Sequence, residues 1–509
     1  MNDSAKPEVA DLEAGGYSEV PEGWVAATLE ECSTFITKGT TPTSLGFEYK
    51  DSGIPFIRAE NLSNGVIDKQ SVNKFIDAKT DAALARSRLQ QDDLLFSIAG
   101  TIGRTALVSA EDVPANTNQA LALIRGTSKI LLPRCLMFSL RSYPSQVQAE
   151  TEARGGSMNN ISLEDVRSIK LSIPPLAEQE RITAKITEVT AEVNRASRRL
   201  QKSVILLKQF RLAVLNAAYL GQLTQDWRTE HTHVENAAQI FEKIKAQLNS
   251  IGSTIPRDLE EIPKSWKWVR FGDLIGELRN GISTKPEIDP PGKPILRISA
   301  VRAGKVTLGD YRYLRAPQSC DSQYLLKNGD LLFTRYNGTL ELLGVCGMVR
   351  ELHKDLLYPD KLMRVRFGHP WVLPSYTEIF FCSPMARDRL TEKAKSSAGQ
   401  QGVSGANVKA QPFALPPLEE QQEIVRRVEA LFKLADTIEK RVAAASLRAD
   451  RLTQAVLAKA FRGELVPTEA ELARREGRTY EPASALLERI KSERARLSEN
   501  GDKRRTGRK

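Results

Sequence analysis

The chain has 509 residues, 41% of them hydrophobic and 27% charged, which is ordinary for a soluble globular protein of about three domains. No apolar run approaches the roughly 18–20 residues of a membrane span, and five unclustered cysteines argue against a disulfide framework. We therefore expect a cytoplasmic protein with reduced thiols and no membrane contact, and the net charge of +10 favours a polyanionic partner.

The first half of the chain divides into a short leader, a β-rich head and a long helix. Residues 1–16 are acidic and Ala-rich, and we expect them to be disordered. The head, residues 17–173, has short alternating apolar runs such as 53–58 and 93–100, separated by Gly, Asn and Pro turns. The helix, residues 174–221, begins after a Pro-Pro pair and ends at a glycine.

The second half repeats the first at an offset of 242 residues. Pro174-Pro175-Leu176 returns as Pro416-Pro417-Leu418. The helix-ending glycine returns as well, and so do three residues of the first head: Gly221 as Gly463, and Pro21, Trp24 and Gly39 as Pro263, Trp266 and Gly281. A connector with a short amphipathic helix (222–262) leads to a second head (263–415), a second long helix (416–463), and a C-terminal helix with a basic tail (464–509). A unit of this length is a whole domain with its connector.

Both long helices carry apolar residues at alternating steps of four and three, the spacing of a coiled coil. The predicted seam between them consists of Ile182, Ile186, Val189, Val193, Leu200, Leu207, Ile424, Val428, Leu431, Ile438, Val442 and Leu452. The first helix carries the chain away from the first head, so an antiparallel second helix returns it without any extra span. We predict an α+β fold with two similar β-rich heads, two long antiparallel coiled-coil helices and a pseudo-two-fold internal repeat.

Two short segments after the long helices also resemble each other. Residues 237–245 are similar to residues 483–491, at an offset of 246. Both are amphipathic, and they suit either docking surfaces or caps on the heads.

The sequence lacks the usual motifs of an enzyme. It has no GxxxxGK[ST] phosphate loop and no GxGxxG fingerprint. The segment Asp289-Pro290-Pro291-Gly292 resembles an amino-methyltransferase box, but glycine replaces the aromatic residue that would stack on the base. His231 and His233 have no partner at metal-ligand spacing. We predict no catalytic residues and no metal site.

The paired PPL-x-EQ segments, the paired Gly-ended helices and the Asp93-Leu94-Leu95-Phe96 type of strand resemble the DNA specificity subunit of type I restriction–modification enzymes. The resemblance covers roughly residues 20–495, including Gly39-Thr40-Thr41-Pro42 and Asn160-Ile161-Ser162-Leu163. The second head departs from the last motif, because its Asn407-Val408-Lys409 lies five residues nearer its Pro-Pro pair.

The resemblance implies that each head is a target-recognition domain that reads one half of a split, asymmetric site in double-stranded DNA, and that the helices set the spacing. It also implies a non-catalytic chain that directs methyltransferase subunits, two of them by the repeat, and restriction/translocase subunits. Under this reading the chain binds no cofactor, and S-adenosylmethionine, ATP and Mg act on the partner subunits.

Phosphates attract cations, and base edges are read by planar or bidentate donors, so loop residues of these types are the candidates for DNA contact. In the first head they are Lys38, Thr40, Thr41, Thr43, Arg58, Asn61, Thr101 and Arg104. In the second head they are Arg279, Asn280, Ser283, Lys285, Arg297, Arg302, Arg335, Tyr336 and Asn337. We expect Asn118 and Gln119 to bind turn backbone instead.

Two other functions remain open from the sequence. One is a stand-alone DNA-modifying enzyme with an unrecognised site, and the other is a coiled-coil adaptor that does not bind DNA.

Overall fold

The computed structural model describes residues 20–127, 129–154, 160–249, 255–256, 258–315, 321–337, 339–392, 395–397 and 400–492. The predicted disordered leader (1–16) and the basic end of the chain (503–509) lie outside these residues. The chain forms two compact units, one made of Met1–Arg199 with Ala445–Lys509 and the other of Leu200–Ala444. Each unit contains one head and half of each long helix.

The first head is built mainly from short strands. They are Val25–Thr28, Phe35–Lys38, Ile54–Ile57, Leu62–Ser63, Val66–Ile67, Phe75–Ile76, Leu94–Ser97, Thr105–Leu107, Asn116–Thr117, Leu121–Arg125 and Lys170–Ile173. Its helices are Leu29–Cys32, Ala78–Ala83, Pro133–Arg141, Tyr143–Arg154 and Leu163–Ser168. Four of the strands form an antiparallel sheet in the order Phe35–Lys38, Leu121–Arg125, Leu94–Ser97, Thr105–Leu107.

The second head repeats this plan. Its strands are Lys267–Arg270, Glu277–Asn280, Lys293–Leu296, Val301–Arg302, Lys305–Val306, Tyr311–Leu314, Leu331–Thr334, Tyr336–Asn337, Cys346–Met348, Leu362–Arg366, Lys395–Ser397, Gln400–Gly402 and Pro412–Leu415. Its helices are Pro374–Cys382, Pro384–Glu392 and Gly405–Lys409. The four-stranded sheet has the same order, Glu277–Asn280, Leu362–Arg366, Leu331–Thr334, Cys346–Met348. The predicted repeat is thus confirmed at the level of strand order.

The central strands are apolar because both faces of each sheet are covered. Alternate side chains of a strand point to opposite faces. In the first head Leu94 and Phe96 join the core under the helix Pro133–Arg141, while Leu95 joins a second core on the opposite face. The strand Leu94–Ser97 is buried at every position, which explains its unbroken apolar sequence.

Each head is closed by pairing of its first and last strands. Val25 faces Ile173 in the first head, and Lys267 faces Leu415 in the second, at the same offset of 242 for both strands. In each head the last strand runs directly into the Pro-Pro pair, so no loop separates the head from its long helix.

The second head departs from the first at Asn160, and Asn407 is not its counterpart. Asn160 forms a bridge with Ala99, and the residue that takes this place in the second head is Gly402, which pairs with Tyr336. Asn407 instead caps a helix from its N3 position through Ser404, as Asp165 does through Ser162. The two capping boxes are 242 residues apart, so the register of the repeat is intact there.

The two long helices are Leu176–Tyr219 and Leu418–Phe461, with 44 residues each. Glutamates in their first turns complement the positive end of the helix dipole. Two residues after each helix comes a glycine with a left-handed backbone, Gly221 at φ 71° and Gly463 at φ 78°. Glycine is the residue that accepts this conformation without strain.

The helices are antiparallel, as predicted, and each unit shows this separately. In the first unit, Ile182 near the start of one helix shares a core with Val456 near the end of the other. In the second unit, Val214 near the end of the first helix shares a core with Ile424 and Val428 near the start of the second.

The predicted seam residues are buried to different degrees. Those that are buried are Ile182, Ile186, Ile424, Val428 and Val442, and those that are half-buried are Val189, Val193, Leu200, Leu207 and Leu431. Ile438 and Leu452, however, are 38% and 49% exposed. A straight helix has 3.6 residues per turn, so its apolar stripe drifts about 20° per heptad from an exact 3.5-residue repeat. Counting in heptads therefore assigns such residues to the seam although the helix has rotated them away from it.

Two helical segments cover the heads. In the second unit, Gln225–Glu230 is followed by Ala237–Leu248, whose Ala237 N–H donates to Ser265 O at 3.0 Å. In the first unit, Glu469–Glu476 is followed by a helix at residues 483–492, whose Ala483 N–H donates to Gly23 O at 2.9 Å. The sequence left two alternatives open for these segments, docking surfaces and caps on the heads, and the structure shows caps.

Among the described residues, no single helix is both long and apolar enough to cross a bilayer. The first long helix reaches that apolar content only when joined to Gln222–Glu230 across a bend of 78°.

Candidate nucleic-acid interface

The sheet of the first head brings separate loops to one end. Lys38 pairs with Ala122, Ala122 with Phe96, and Phe96 with Thr105, so these four residues form a row across the sheet. The segments that leave the row are 38–43, 98–104 and 116–120. Strand Ile54–Ile57 runs parallel to Asn116–Thr117, which adds residues 58–61. We call these four segments the first loop edge.

The loop edge is packed closely enough to require glycine at position 39. The Gly39 N–H donates to Asn118 O at 3.1 Å, and a Cβ on Gly39 would lie only 1.9 Å from Thr117 O. In the second head a Cβ on Gly281 would lie 2.2 Å from Tyr358 O. Any side chain would therefore separate the two loops, which explains why glycine is repeated at this offset.

Most candidate residues of the first head lie on this edge. Lys38, Thr43, Thr101 and Arg104 are exposed there, and Thr40 is half-buried. The Thr41 hydroxyl donates to the Gln119 side chain, so Gln119 contacts another loop. The prediction that Gln119 binds turn backbone is therefore wrong, whereas Asn118 does accept from Ala120 N at 3.1 Å.

Arg58 is only partly available. Its guanidinium donates to Asn73 Oδ1 at 2.7 Å and forms an ion pair with Glu60. A DNA phosphate would have to compete with that carboxylate for the charge.

Asn61 is a structural residue, contrary to the prediction. Its side chain is buried, with 1% exposure, and its Oδ1 accepts from Arg58 N at 2.8 Å. Its Nδ2 donates to Ser71 O at 2.9 Å. Because its amide already holds the turn together inside the head, it is not available to a base.

The second head forms an equivalent loop edge. Asn280 pairs with Met363, Met363 with Phe333, and Phe333 with Cys346. The segments leaving this row, together with the end of strand Lys293–Leu296, form the second loop edge: 280–285, 297–299, 335–337 and 358–361.

The second loop edge carries more cations than the first. Asn280, Ser283, Lys285 and Arg297 are exposed, and Arg297 binds Asp310 at 3.2 Å. Asn337 lies in the strand Tyr336–Asn337 at the same edge.

Arg335 and Tyr336 form a stacked pair at this edge. The Arg335 guanidinium lies 4.8 Å from the centroid of the Tyr336 ring. A stacked cation and ring present both charge and a flat surface, the combination that nucleic-acid sites use.

Two predicted residues of the second head lie elsewhere. Arg279 donates to Glu277 at 2.6 Å, and Glu277 also binds the buried Arg364 at 2.7 Å. Burial by itself would raise the pKa of Glu277, but the bonds from these two arginines outweigh burial and lower it. The Arg279 guanidinium is therefore bound within the head, although 38% of its side chain is exposed.

Arg302 lies on the hairpin formed with Lys305–Val306, beside the edge strand Cys346–Met348, and donates to Val301 O at 2.9 Å. It is exposed but outside the second loop edge.

Lys361 is a candidate that the sequence reading missed. It is exposed on the second loop edge, and its carbonyl accepts from Arg335 N at 2.8 Å. The residue of the first head with the same backbone contact is Ala120, whose carbonyl accepts from Ile98 N at 2.9 Å, so no candidate of the first head pointed to Lys361.

No group of three or more His, Cys, Asp or Glu side chains in the described parts of the chain could hold a metal ion.

Comparison with known proteins gives a family match in both halves. The family described as "Type I restriction modification DNA specificity domain" matches residues 21–203 and 263–445. These two segments are offset by 242 residues, the offset of the internal repeat.

Curated relatives match over nearly the whole chain. The EcoKI specificity subunit of a type I restriction enzyme from Escherichia coli K12 is 37% identical, over 94% of this chain and 97% of its own. The StySPI specificity subunit from Salmonella potsdam is 28% identical, over 94% and 96%. One solved structure, described as "Structural basis underlying complex assembly and conformational transition of the type I R-M system", has a chain with a TM-score of 0.63, at 20% identity, over 88% of this chain and 100% of its own.

Proposed function

Because the chain belongs to the type I restriction–modification DNA specificity family, we propose that it recognises a bipartite, asymmetric DNA site, with one half read at each loop edge. The observation that carries the proposal is that the two heads share one sheet order but present different side chains at equivalent positions, such as Ala120 and Lys361. A common scaffold with different loops is what two distinct half-sites require.

The chain is a non-catalytic subunit, since the relatives that match it throughout are specificity subunits. It works with other subunits and with DNA. In detail, we propose two methyltransferase subunits, one for each repeat, together with restriction/translocase subunits. S-adenosylmethionine, ATP and Mg would act on those partners, and the complex would act in the cytoplasm.

A surface suited to such partners lies on the long helices of the second unit. Val204, Ile205 and Leu206 are 47%, 60% and 59% exposed, and Leu434 is 53% exposed. Adjacent exposed apolar side chains on a helix are typical of protein interfaces. We propose that a methyltransferase subunit packs here. I205D/L206D should abolish co-elution with that subunit, whereas A213D, at an exposed small residue of the same helix, should not.

A reciprocal exchange of heads tests the proposed reading of DNA. Strands Val25–Thr28 and Lys170–Ile173 pair with each other, so residues 20–173 must be exchanged as one block, for example with the equivalent head of the EcoKI relative. Methylated sites are then mapped in cells that also supply the methyltransferase subunit.

We expect the exchange to change one half of the methylated site and leave the other half and the gap unchanged. The matched control exchanges residues 263–415 and should change only the opposite half. If either exchange altered both halves, the heads would not be independent readers.

A further inference from the structure

The first head contains an arginine whose surroundings fit no structural role. Arg141, the last residue of helix Pro133–Arg141, is half-buried, and the described residues offer its guanidinium no hydrogen bond or ion pair. Burial lowers the pKa of this guanidinium, and no carboxylate counteracts the effect. A cation held in this way costs free energy in the empty protein.

Arg141 lines two cavities. The smaller, of about 430 Å³, is also lined by Arg104 of the first loop edge and by Thr105. The larger, of about 710 Å³, lies between the head and the parts of both long helices that belong to the same unit. A Cβ on Gly65 would lie 3.0 Å from Arg141 Nη1, so the hairpin turn packs directly over the guanidinium.

A second polar group in the smaller cavity also lacks a partner. Thr105 is 4% exposed, and its Oγ1 is buried without a hydrogen bond. Buried hydroxyls are nearly always hydrogen-bonded, so an unsatisfied one beside a cavity is free to bond a group that enters the cavity. The cavity therefore offers a hydroxyl and two guanidinium groups, of which that of Arg104 also donates to Ala59 O at 3.5 Å.

The acidic residues of this cavity do not neutralise the arginines. Glu60 forms an ion pair with Arg58, and Asp68 accepts from Gln70 N at 3.1 Å. The uncommitted groups are thus donors, and the complementary ligand is an anion with several acceptor oxygens.

The second head shows that the fold does not need this arrangement. There the residue equivalent to Arg141 is Cys382, at the end of helix Pro374–Cys382, and the residue equivalent to Thr105 is Cys346. Both cysteines are buried, and Cys382 Sγ donates to Cys346 O at 3.5 Å. The same corner is closed by small thiols in one head and left polar and open in the other.

We propose that the smaller cavity of the first head binds a phosphate group through Arg141, Arg104 and Thr105. The source of the phosphate rests on the proposed function: Arg104 belongs to the first loop edge, so the group is a backbone phosphate of the bound DNA. A free phosphate ion has the same chemistry and is the alternative source.

The DNA arm of the test measures how binding depends on salt. The full chain carrying R141Q is titrated with a duplex containing the methylated site and with a scrambled duplex. Loss of one phosphate contact lowers the slope of log K against log salt by about 0.9, equally for both sequences. R134Q removes a charge from the same helix outside the smaller cavity and should leave the slope unchanged.

The second arm uses inorganic phosphate at constant ionic strength, without DNA. Phosphate should raise the melting temperature of the wild type and of R134Q, but not of R141Q. R141M should melt at or above the wild-type temperature in the absence of phosphate, because it removes an unpaired buried charge. A lower melting temperature for R141M would overturn the proposal, since it would show a structural role.

The outcomes separate the two sources. A lower slope in R141Q alone supports a DNA phosphate, whereas an unchanged slope with Arg141-dependent stabilisation by phosphate supports the free ion and overturns the assignment to DNA. The site would be overturned if R141Q and R134Q had the same salt slope and if phosphate did not raise the melting temperature of the wild type.

Two further results remain interpretable. If R141Q fails to fold, R141M replaces it in the DNA arm, and Thr105→Val, which keeps the side-chain volume, replaces it in the phosphate arm. If the wild type bound neither duplex, the proposed DNA function would fail, and the phosphate arm would still decide the cavity.

Discussion

Replacing the buried glutamate at the start of each long helix should have very different effects in the two units. Glu420 is fully buried and accepts from Trp266 Nε1 at 2.8 Å and Thr224 Oγ1 at 2.7 Å. It also pairs with Arg228 at 2.5 Å. Removing one partner of a buried ion pair costs about 3–5 kcal/mol, because the other charge is left uncompensated.

The free energy of unfolding lost in Glu420→Ala should fall at the lower end of that range, at about 3 kcal/mol. The Arg228 side chain is 19% exposed and also donates to Gly221 O at 2.6 Å and to Thr224 Oγ1 at 3.1 Å, so it keeps part of its solvation and two bonds. Glu420→Gln retains acceptor oxygen but loses the charge that Arg228 requires, which should cost about 1.5–3 kcal/mol.

In the first unit the equivalent residue is Glu178, and no arginine among the described residues is bound to it directly. It accepts from Trp24 Nε1 at 3.1 Å and Glu469 N at 2.8 Å, while Arg181 pairs with Glu469 at 2.7 Å. Burial raises the pKa of Glu178, so its folded pKa lies above the unfolded value and its ionisation opposes folding at neutral pH. Glu178→Gln should therefore cost less than about 1 kcal/mol.

Hydrogen exchange of the three variants measures each unit separately. Peptides covering residues 264–280 report on the second unit, and peptides covering residues 22–36 report on the first. We expect E420Q to lower the opening free energy of its unit by at least about 1 kcal/mol more than E178Q lowers that of its own. Equal losses for the two glutamine variants would refute the reasoning from local contacts.

Three other predictions concern the helices. Ile186→Asn, at a fully buried position, should lower the free energy of unfolding by about 3 kcal/mol, whereas Ile438→Asn, at a position 38% exposed, should lower it by less than about 1 kcal/mol, as read from urea midpoints. Hydrogen bonds from Arg426 and then Arg427 lower the pKa of Glu423 to about 2, below its unfolded value. The stability that Glu423 contributes is therefore present above pH 4.5 and is lost as the pH falls toward 2. E423Q should flatten the pH dependence of the melting temperature in that window, and an unchanged profile would contradict this. Inserting one heptad into both long helices lengthens each by about 10 Å and should widen the gap between half-sites by about three base pairs or abolish binding, whereas an unchanged gap at full affinity would show that the helices do not set it.

The repeated architecture could be predicted because its signals are local in sequence. The Pro-Pro pair, the acidic first turn, the heptads and the terminal glycine each act within a few residues, and the offset of 242 residues links both copies. The fold therefore follows from patterns that do not depend on knowing which distant segments meet.

The roles of individual loop residues depend on distant segments and could not be read in the same way. In the sequence Asn61 resembles an amide that reads bases, but in the fold its side chain donates to Ser71 O. Arg279 resembles an ordinary cation at the end of a strand, but in the fold it shares Glu277 with Arg364. Arg141 shows the opposite case, because what distinguishes it is that the described residues give its guanidinium no hydrogen bond or ion pair.

The division of the chain between the two units also has a consequence for synthesis. The second unit is one continuous stretch, Leu200–Ala444, while the first draws on both chain ends. The N-terminal head leaves the ribosome first, yet its cover at residues 483–492 and its ion pair between Arg181 and Glu469 arrive last. The head that is translated first is thus completed after the second, and until then part of its apolar core stays uncovered, which is the condition under which folding intermediates aggregate.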